Sequence, residues 1–297
     1  MNDGVVLRLA YRPPYDWPQV RDFLAARALP GVERVDERGY ARTLAWDGGQ
    51  ALVEVRPLDG EHALELRVRG APPAALLQIS STARLAFDLA ADPERIALAF
   101  RSDPLLGPLA RRWPGLRIPG VWDPFECAVR AVLGQQVSVA AGRTFASRLV
   151  ARAGRPVGGG ADGLTRLFPS PRALAGADLD GLGLTRSRVG ALRALARALV
   201  EGRLDFRGPA ERVTAALLAL PGLGAWTAQY VALRSLGEPD AFPAADLVLR
   251  RGAANGGPPL EPRALEARAE AWRPWRGHAA LLLWRAAGEA RGPARRR

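Results

Sequence analysis

No lysine occurs anywhere in the 297 residues, so all 42 basic side chains are arginine. That absence removes the amine on which lysine Schiff-base chemistry depends. A single cysteine, Cys127, excludes an internal disulfide, a cysteine-ligated zinc site and an iron–sulfur cluster; it reads as a small buried apolar residue. The only histidines, His62 and His278, lie in no catalytic context and read as surface or satisfied side chains. No apolar run approaches the roughly 18 residues that a membrane span needs. The opening Met1-Asn2-Asp3-Gly4 lacks the basic-then-apolar layout of a secretory signal, so a reducing cytoplasm is the expected address.

What is present is a chain with 48% hydrophobic and 24% charged residues, long enough for two or three packed subdomains. The formal net charge is +12. Part of the arginine content reflects genome base composition, but the positive excess remains, and a polyanion such as nucleic acid is its commonest cause.

The pattern divides near residue 91. Alternating runs at 5–11, 40–46, 51–57 and 63–69, separated by Asp-Gly signals, read as antiparallel strands, with helices at 17–28 and from 72 to about 89. Residues 1–91 are thus a small α+β unit. From 92 to 297 the periodicity is helical, over 93–101, 104–113, 124–134, 137–153, 171–175, 186–201, 210–220, 225–236, 246–253, 262–272 and 277–291. Residues 154–163 form a glycine-rich loop, and the arginine-rich tail 291–297 reads as frayed and able to touch phosphate nonspecifically.

The most informative stretch is Leu220-Pro221-Gly222-Leu223-Gly224-Ala225-Trp226-Thr227-Ala228, a tight turn between two helical patterns. Its backbone N–H groups, at the start of a helix, form a cradle for phosphate that needs no side chain. An ordinary helical hairpin uses glycines for turn geometry alone, but the whole string is far more specific than Gly-x-Gly. After the loop at 237–243 comes Asp246, 22 residues beyond Gly224. Aspartate there can cap a helix, act in chemistry, or do both.

The hairpin and the aspartate together resemble the helix-hairpin-helix glycosylase superfamily. Nearly the whole chain is similar to its DNA-3-methyladenine glycosylase II family, through Pro13-Pro14-Tyr15-Asp16-Trp17, Pro119-Gly120-Val121-Trp122-Asp123, Leu133-Gly134-Gln135-Gln136-Val137 and Trp272-Arg273-Pro274-Trp275. The resemblance implies a TATA-binding-protein-like N-terminal sheet followed by two helical subdomains with a cleft between them. It implies Asp246 as the catalytic carboxylate, and Trp226, Tyr230, Trp284 and Phe23 as the walls of a base pocket. It also implies that Gly222, Gly224 and Thr227 hold DNA while Gln135 and Gln136 enter the duplex. A relative within the family has an apolar wedge at the second of these positions, where this chain has Gln136. A monovalent cation, Na+ or K+, on hairpin carbonyls near Leu220 and Leu223 is a further implication; no side-chain metal site or other cofactor is expected. Trp17, Trp46, Trp113, Trp122, Trp272 and Trp275 read as structural.

Bifunctional relatives place lysine where this chain has Trp226, so a lysine Schiff base is impossible and a hydrolytic, monofunctional reaction is expected, with the N-terminal amine as a remote alternative nucleophile. Alkylation at purine N3 or N7 makes the base a good leaving group, so no general acid is required. One carboxylate that stabilises the oxocarbenium-like sugar suffices. The expectation is a monomeric enzyme of the bacterial cytosol that flips alkylated purines such as 3-methyladenine from duplex DNA. The alternative is a non-catalytic sensor of alkylated DNA or an architectural DNA-binding protein. Asp246 discriminates between them, because a carboxylate beside phosphate costs a pure binder affinity.

Overall fold

A computed structural model describes residues 4–46, 49–158, 162–254 and 256–290. The first hairpin turn, the tip of the glycine-rich loop and the tail from 291 fall outside the described residues.

Strands β1 (Val5–Ala10), β2 (Glu33–Asp36), β3 (Gly39–Trp46), β4 (Gly49–Pro57) and β5 (Ala63–Arg69) form one antiparallel sheet in the order β1-β5-β4-β3-β2. Period-2 alternation buries Ala51, Val53 and Val55 of β4 with Leu64, Leu66 and Val68 of β5. These pack with Val20 of α1 (Trp17–Ala25) and Ala75, Ile79 and Ala83 of α2 (Pro73–Ala86). The sequence does not reveal β2. Three of its four residues are polar and all four are half-buried, and pairing with β3 rather than hydrophobic alternation makes it a strand.

The helices that follow are α3 (Pro93–Phe100), α4 (Leu106–Arg112), α5 (Pro124–Gly134), α6 (Val139–Ala153), α7 (Pro171–Gly176), α8 (Arg186–Val200), α9 (Ala210–Leu218), α10 (Ala225–Ser235), α11 (Leu247–Gly252), α12 (Pro262–Ala269) and α13 (Arg276–Ala290). Their starts are written locally. Asp16, Asp92, Asp123, Ser138, Ser170, Thr185 and Asp246 each accept a backbone N–H two or three residues ahead, which satisfies an otherwise orphaned helix donor.

Two helical cores result. One gathers α5 to α9 with Ala228 and Val231 of α10. The other joins α3 and α4 to α11, α12 and α13, and takes Ala232 and Leu233 from α10. Helix α10 is therefore the seam between them. Residues 113–122 turn back to the sheet unit: Trp122 stacks on Tyr40 at 6.4 Å, and the buried Arg117 donates to the carbonyls of Arg12, Pro14, Asp88 and Ala91. All six tryptophans read as structural lie in these cores or against them.

His62 is exposed, as expected. His278 is neither a surface nor a satisfied histidine: it is 4% exposed, and neither ring nitrogen has a hydrogen-bond partner among the described residues. Its Nε2 lies 3.4 Å from Asp88 Oδ2 without hydrogen-bond geometry. Packing of α13 beneath α10, which sequence periodicity does not reveal, encloses it.

Candidate active site

A cleft of about 1540 Å³ opens between the two helical cores and beneath α1. Its lining mixes aromatic and charged side chains.

Trp226 and Tyr230 stand one helical turn apart on α10, so their rings project from one face. They stack at 5.1 Å with an interplanar angle of 16°. Trp284 of α13 meets Tyr230 edge-on at 6.4 Å. Phe23 reaches the cleft from α1. The four aromatic side chains singled out from the sequence thus come to one cavity from three helices, and each remains partly exposed there.

Asp246 lies at the end of that wall as the N-cap of α11. Its Oδ1 accepts Val248 N at 2.8 Å, Leu249 N at 3.0 Å and Trp284 Nε1 at 3.3 Å. Its Oδ2 accepts, among the described residues, only Trp226 Nε1, at 2.9 Å. Capping and chemistry are compatible because the two oxygens divide the work. Oδ1 is saturated, while Oδ2 keeps lone-pair capacity for a ligand in the cleft. Two indoles from different helices fix the carboxylate without neutralising it.

The hairpin runs from α9 into α10. Gly222 has φ +82°, and a Cβ there would sit 2.7 Å from Ala191 Cβ of α8, so both backbone and packing demand glycine. Gly224 differs: its φ is −101°, and a Cβ would meet nothing within 4 Å. Backbone conformation and packing do not demand glycine there; a modest N-cap preference favours it, and a bare N-terminus also leaves the α10 amides open to a ligand from outside.

The side chains expected to meet DNA differ in exposure. Thr227 is buried, and its hydroxyl accepts Gln135 Nε2 at 3.1 Å, so its side chain does not reach the surface. Gln135 also donates to the Gly222 carbonyl at 3.0 Å, and its own carbonyl accepts Arg188 Nη2 at 2.6 Å. Gln135 therefore ties the loop between α5 and α6 to the hairpin, leaving Gln136 to project. Gln136 is exposed at φ +56°, followed by the exposed Val137 and Val139.

Sequence reading missed Arg27 and Arg234. Each stands four residues after a pocket aromatic, Phe23 and Tyr230 respectively, and that repeated spacing was the available signal. Arg234 donates to the carbonyls of Pro119 and Gly120 and to the Tyr230 hydroxyl. Beyond them lies a buried network. Arg42 Nη2 donates to Glu126 Oε2 at 2.7 Å, Arg130 joins Glu126 to Glu33, and Tyr40 donates to Glu33 at 2.8 Å. Burial alone would raise the Glu33 carboxyl; Arg130 and Arg42 overcome this and hold it below its ordinary value. Arg130 also donates to the Arg27 carbonyl at 2.9 Å, which anchors the end of α1 over the cleft.

Among the described residues no group of three or more His, Cys, Asp or Glu could hold a metal ion, and no helix is long and apolar enough to cross a membrane.

Comparison with known proteins agrees with this architecture. The AlkA N-terminal domain model matches residues 6–123, and the model of HhH-GPD superfamily base excision DNA repair proteins matches 129–277. The "Probable bifunctional transcriptional activator/DNA repair enzyme AlkA" of Mycobacterium tuberculosis is 43% identical over 282 residues; the match takes in 94% of this chain but only 56% of that relative, so the chain spans about half its length. The "DNA-3-methyladenine glycosylase 2" of Escherichia coli is 38% identical over 93% of this chain and 95% of its own. Among solved structures, a 3-methyladenine DNA glycosylase from Archaeoglobus fulgidus superposes with a TM-score of 0.83 at 22% identity, covering 96% of this chain and 99% of that one. An 8-oxoguanine glycosylase/lyase from Clostridium acetobutylicum in complex with DNA reaches 0.73 at 17% identity, covering 98% and 97%, so one fold serves different lesions. The matched models, together with a relative 38% identical over nearly its full length, show that the chain belongs to the HhH-GPD superfamily of base excision DNA repair proteins and carries an AlkA N-terminal domain.

Proposed function

We propose that the chain is a monofunctional DNA glycosylase that extrudes alkylated purines such as 3-methyladenine from duplex DNA and hydrolyses their N-glycosidic bond. The observation that carries this reading is Asp246, whose Oδ2 is aimed into an aromatic cleft by Trp226 and retains a free lone pair. As the alkylated base departs, positive charge develops on the sugar. A fixed carboxylate stabilises that charge and orients the attacking water, a contribution of several kcal/mol in comparable sites, roughly 3–4. The base leaves neutral, so no proton donor is required of the cleft. With no lysine in the chain, no lysine amine can open the sugar and nick the strand, which supports hydrolysis.

Duplex DNA would bind along the hairpin face. The α10 amides near Gly224 take a phosphate there, and Gln136 with its exposed valine neighbours faces the gap left by the extruded base. A Na+ or K+ ion would be held by hairpin carbonyls; Leu220 O already accepts Leu223 N at 3.2 Å and keeps a second lone pair. Such an ion supplies positive charge between backbone and phosphate. The protein acts as a monomer in the bacterial cytosol on this reading.

The test is release of free base from N-methylated duplex by the wild type and by Asp246→Asn. Wild type should liberate 3-methyladenine and leave unbroken abasic strands, while the variant binds the duplex and liberates nothing. A wild type that binds damaged duplex tightly without releasing base defeats the proposal and leaves the sensor reading standing.

A further inference from the structure

The loop between α5 and α6 is held at a single residue. The Gln135 side chain donates to the Gly222 carbonyl at 3.0 Å and to the Thr227 hydroxyl at 3.1 Å, which fastens it to the hairpin. Its own carbonyl accepts Arg188 Nη2, from the first turn of α8, at 2.6 Å. The next residue, Gln136, is exposed in the left-handed region at φ +56°, a conformation that a residue with a Cβ keeps only where its surroundings fix it. The Gln135 carbonyl belongs to the same planar peptide unit as the Gln136 nitrogen. Arg188 therefore holds the plane from which the Gln136 backbone turns.

Arg188 is committed nowhere else. Among the described residues it forms no ion pair, and its Nε and Nη1 have no hydrogen-bond partner. Its guanidinium carbon lies 5.6 Å from the Phe145 ring of α6, the helix on the far side of the loop. Arg130, by contrast, is tied to two acids, Glu33 and Glu126. The charge on Arg188 strengthens a hydrogen bond to one backbone carbonyl instead. The hairpin leans on the same helix, since a Cβ on Gly222 would meet Ala191. Helix α8 thus backs both elements that face DNA on the reading given above, although Arg188 itself does not line the cleft. We infer that Arg188 is a positioning residue for base extrusion: by holding the Gln135 carbonyl it sets Gln136 and the exposed Val137 to fill the space that the extruded base vacates. The inference rests on the glycosylase reading and adds to it a residue that the chemistry in the cleft does not use.

One lesion in two settings separates extrusion from chemistry. Single-turnover release of 7-methylguanine at saturating protein is measured from a duplex in which it faces cytosine. The same is done with an abasic analogue opposite, where no pair has to be broken. The proteins compared are wild type, Arg188→Met, Arg188→Gln, Arg188→Lys and Arg193→Met, each checked for a wild-type melting profile. The ratio of paired to unpaired release should fall on the order of tenfold in Arg188→Met and Arg188→Gln, the scale of one lost charge-assisted hydrogen bond. Arg188→Lys keeps a charged donor and should stay within about threefold of wild type. Arg193→Met removes an exposed charge from the same helix and should leave the ratio unchanged. A folded Met or Gln variant at position 188 whose ratio matches wild type, because both duplexes slow alike or neither does, overturns the inference. So does an equal fall in Arg193→Met, and the glycosylase reading survives either result. A wild type that releases base from neither duplex overturns both.

Discussion

The two hairpin glycines should respond to the same substitution in opposite ways. At Gly222 an alanine must adopt φ +82°, which costs roughly 1–2 kcal/mol for a residue with a Cβ. Its methyl would also lie 2.7 Å from Ala191 Cβ, so α8 and the hairpin must separate, at about 1–3 kcal/mol for an overpacked contact. Together about 2–5 kcal/mol is lost, and at roughly 2–3 °C per kcal/mol in a chain of this size the melting temperature falls by about 4–15 °C. Gly224→Ala meets neither penalty, since its φ is −101° and its Cβ would point into open space. The small loss of N-cap preference, about 0.5–1 kcal/mol, is offset by a similar reduction in unfolded-state entropy. Its effect should appear on DNA instead. A methyl between the α10 amides and a phosphate lengthens one charge-assisted hydrogen bond worth about 1.5–3 kcal/mol, a tenfold to hundredfold loss of affinity. Thermal melting and anisotropy titration of an undamaged duplex at one fixed salt concentration measure both quantities. A Gly224→Ala protein that binds like wild type, or that melts as early as Gly222→Ala, would refute the assignment of this helix end to a phosphate.

Two further outcomes follow from the hydrogen bonds of the cleft and of the buried network. Trp226→Phe keeps a ring beside Tyr230 but deletes the 2.9 Å bond to Asp246 Oδ2, so single-turnover base release should slow about tenfold or more with duplex affinity unchanged. Equal losses in rate and affinity would mean that the ring, not its N–H, is what matters. Because Glu33 is held below its ordinary value of about 4.3, the stability it contributes is complete above that value and is lost as pH falls through the depressed folded value. Glu33→Gln should therefore be less stable at pH 7 and show a shallower fall in denaturant midpoint below about pH 4; an acid limb as steep as that of wild type contradicts the role given to this carboxylate.

The sequence by itself determined what is local. Helix starts were written in Asp, Ser and Thr caps, and β4 and β5 in period-2 alternation. The hairpin stood out because a tight turn leading straight into a helix needs glycines at fixed places in the string. The spacing of Trp226 and Tyr230 placed both rings on one helix face, and the absence of lysine excluded a lysine Schiff base. Tertiary structure decided whatever depends on residues distant in the chain. Strand β2 exists because β3 offers it hydrogen bonds, not because its residues alternate. Thr227 and Gln135 are hydrogen-bonded to each other, and only the packing of α5 against α10 shows that they meet. His278 was enclosed by helices 40 or more residues away, and Asp246 acquired its two indole donors from partners 20 and 38 residues distant. The charge of the cleft was the least legible feature. A guanidinium's effect on a ligand depends on whether a carboxylate neutralises it, and that pairing is settled in three dimensions alone.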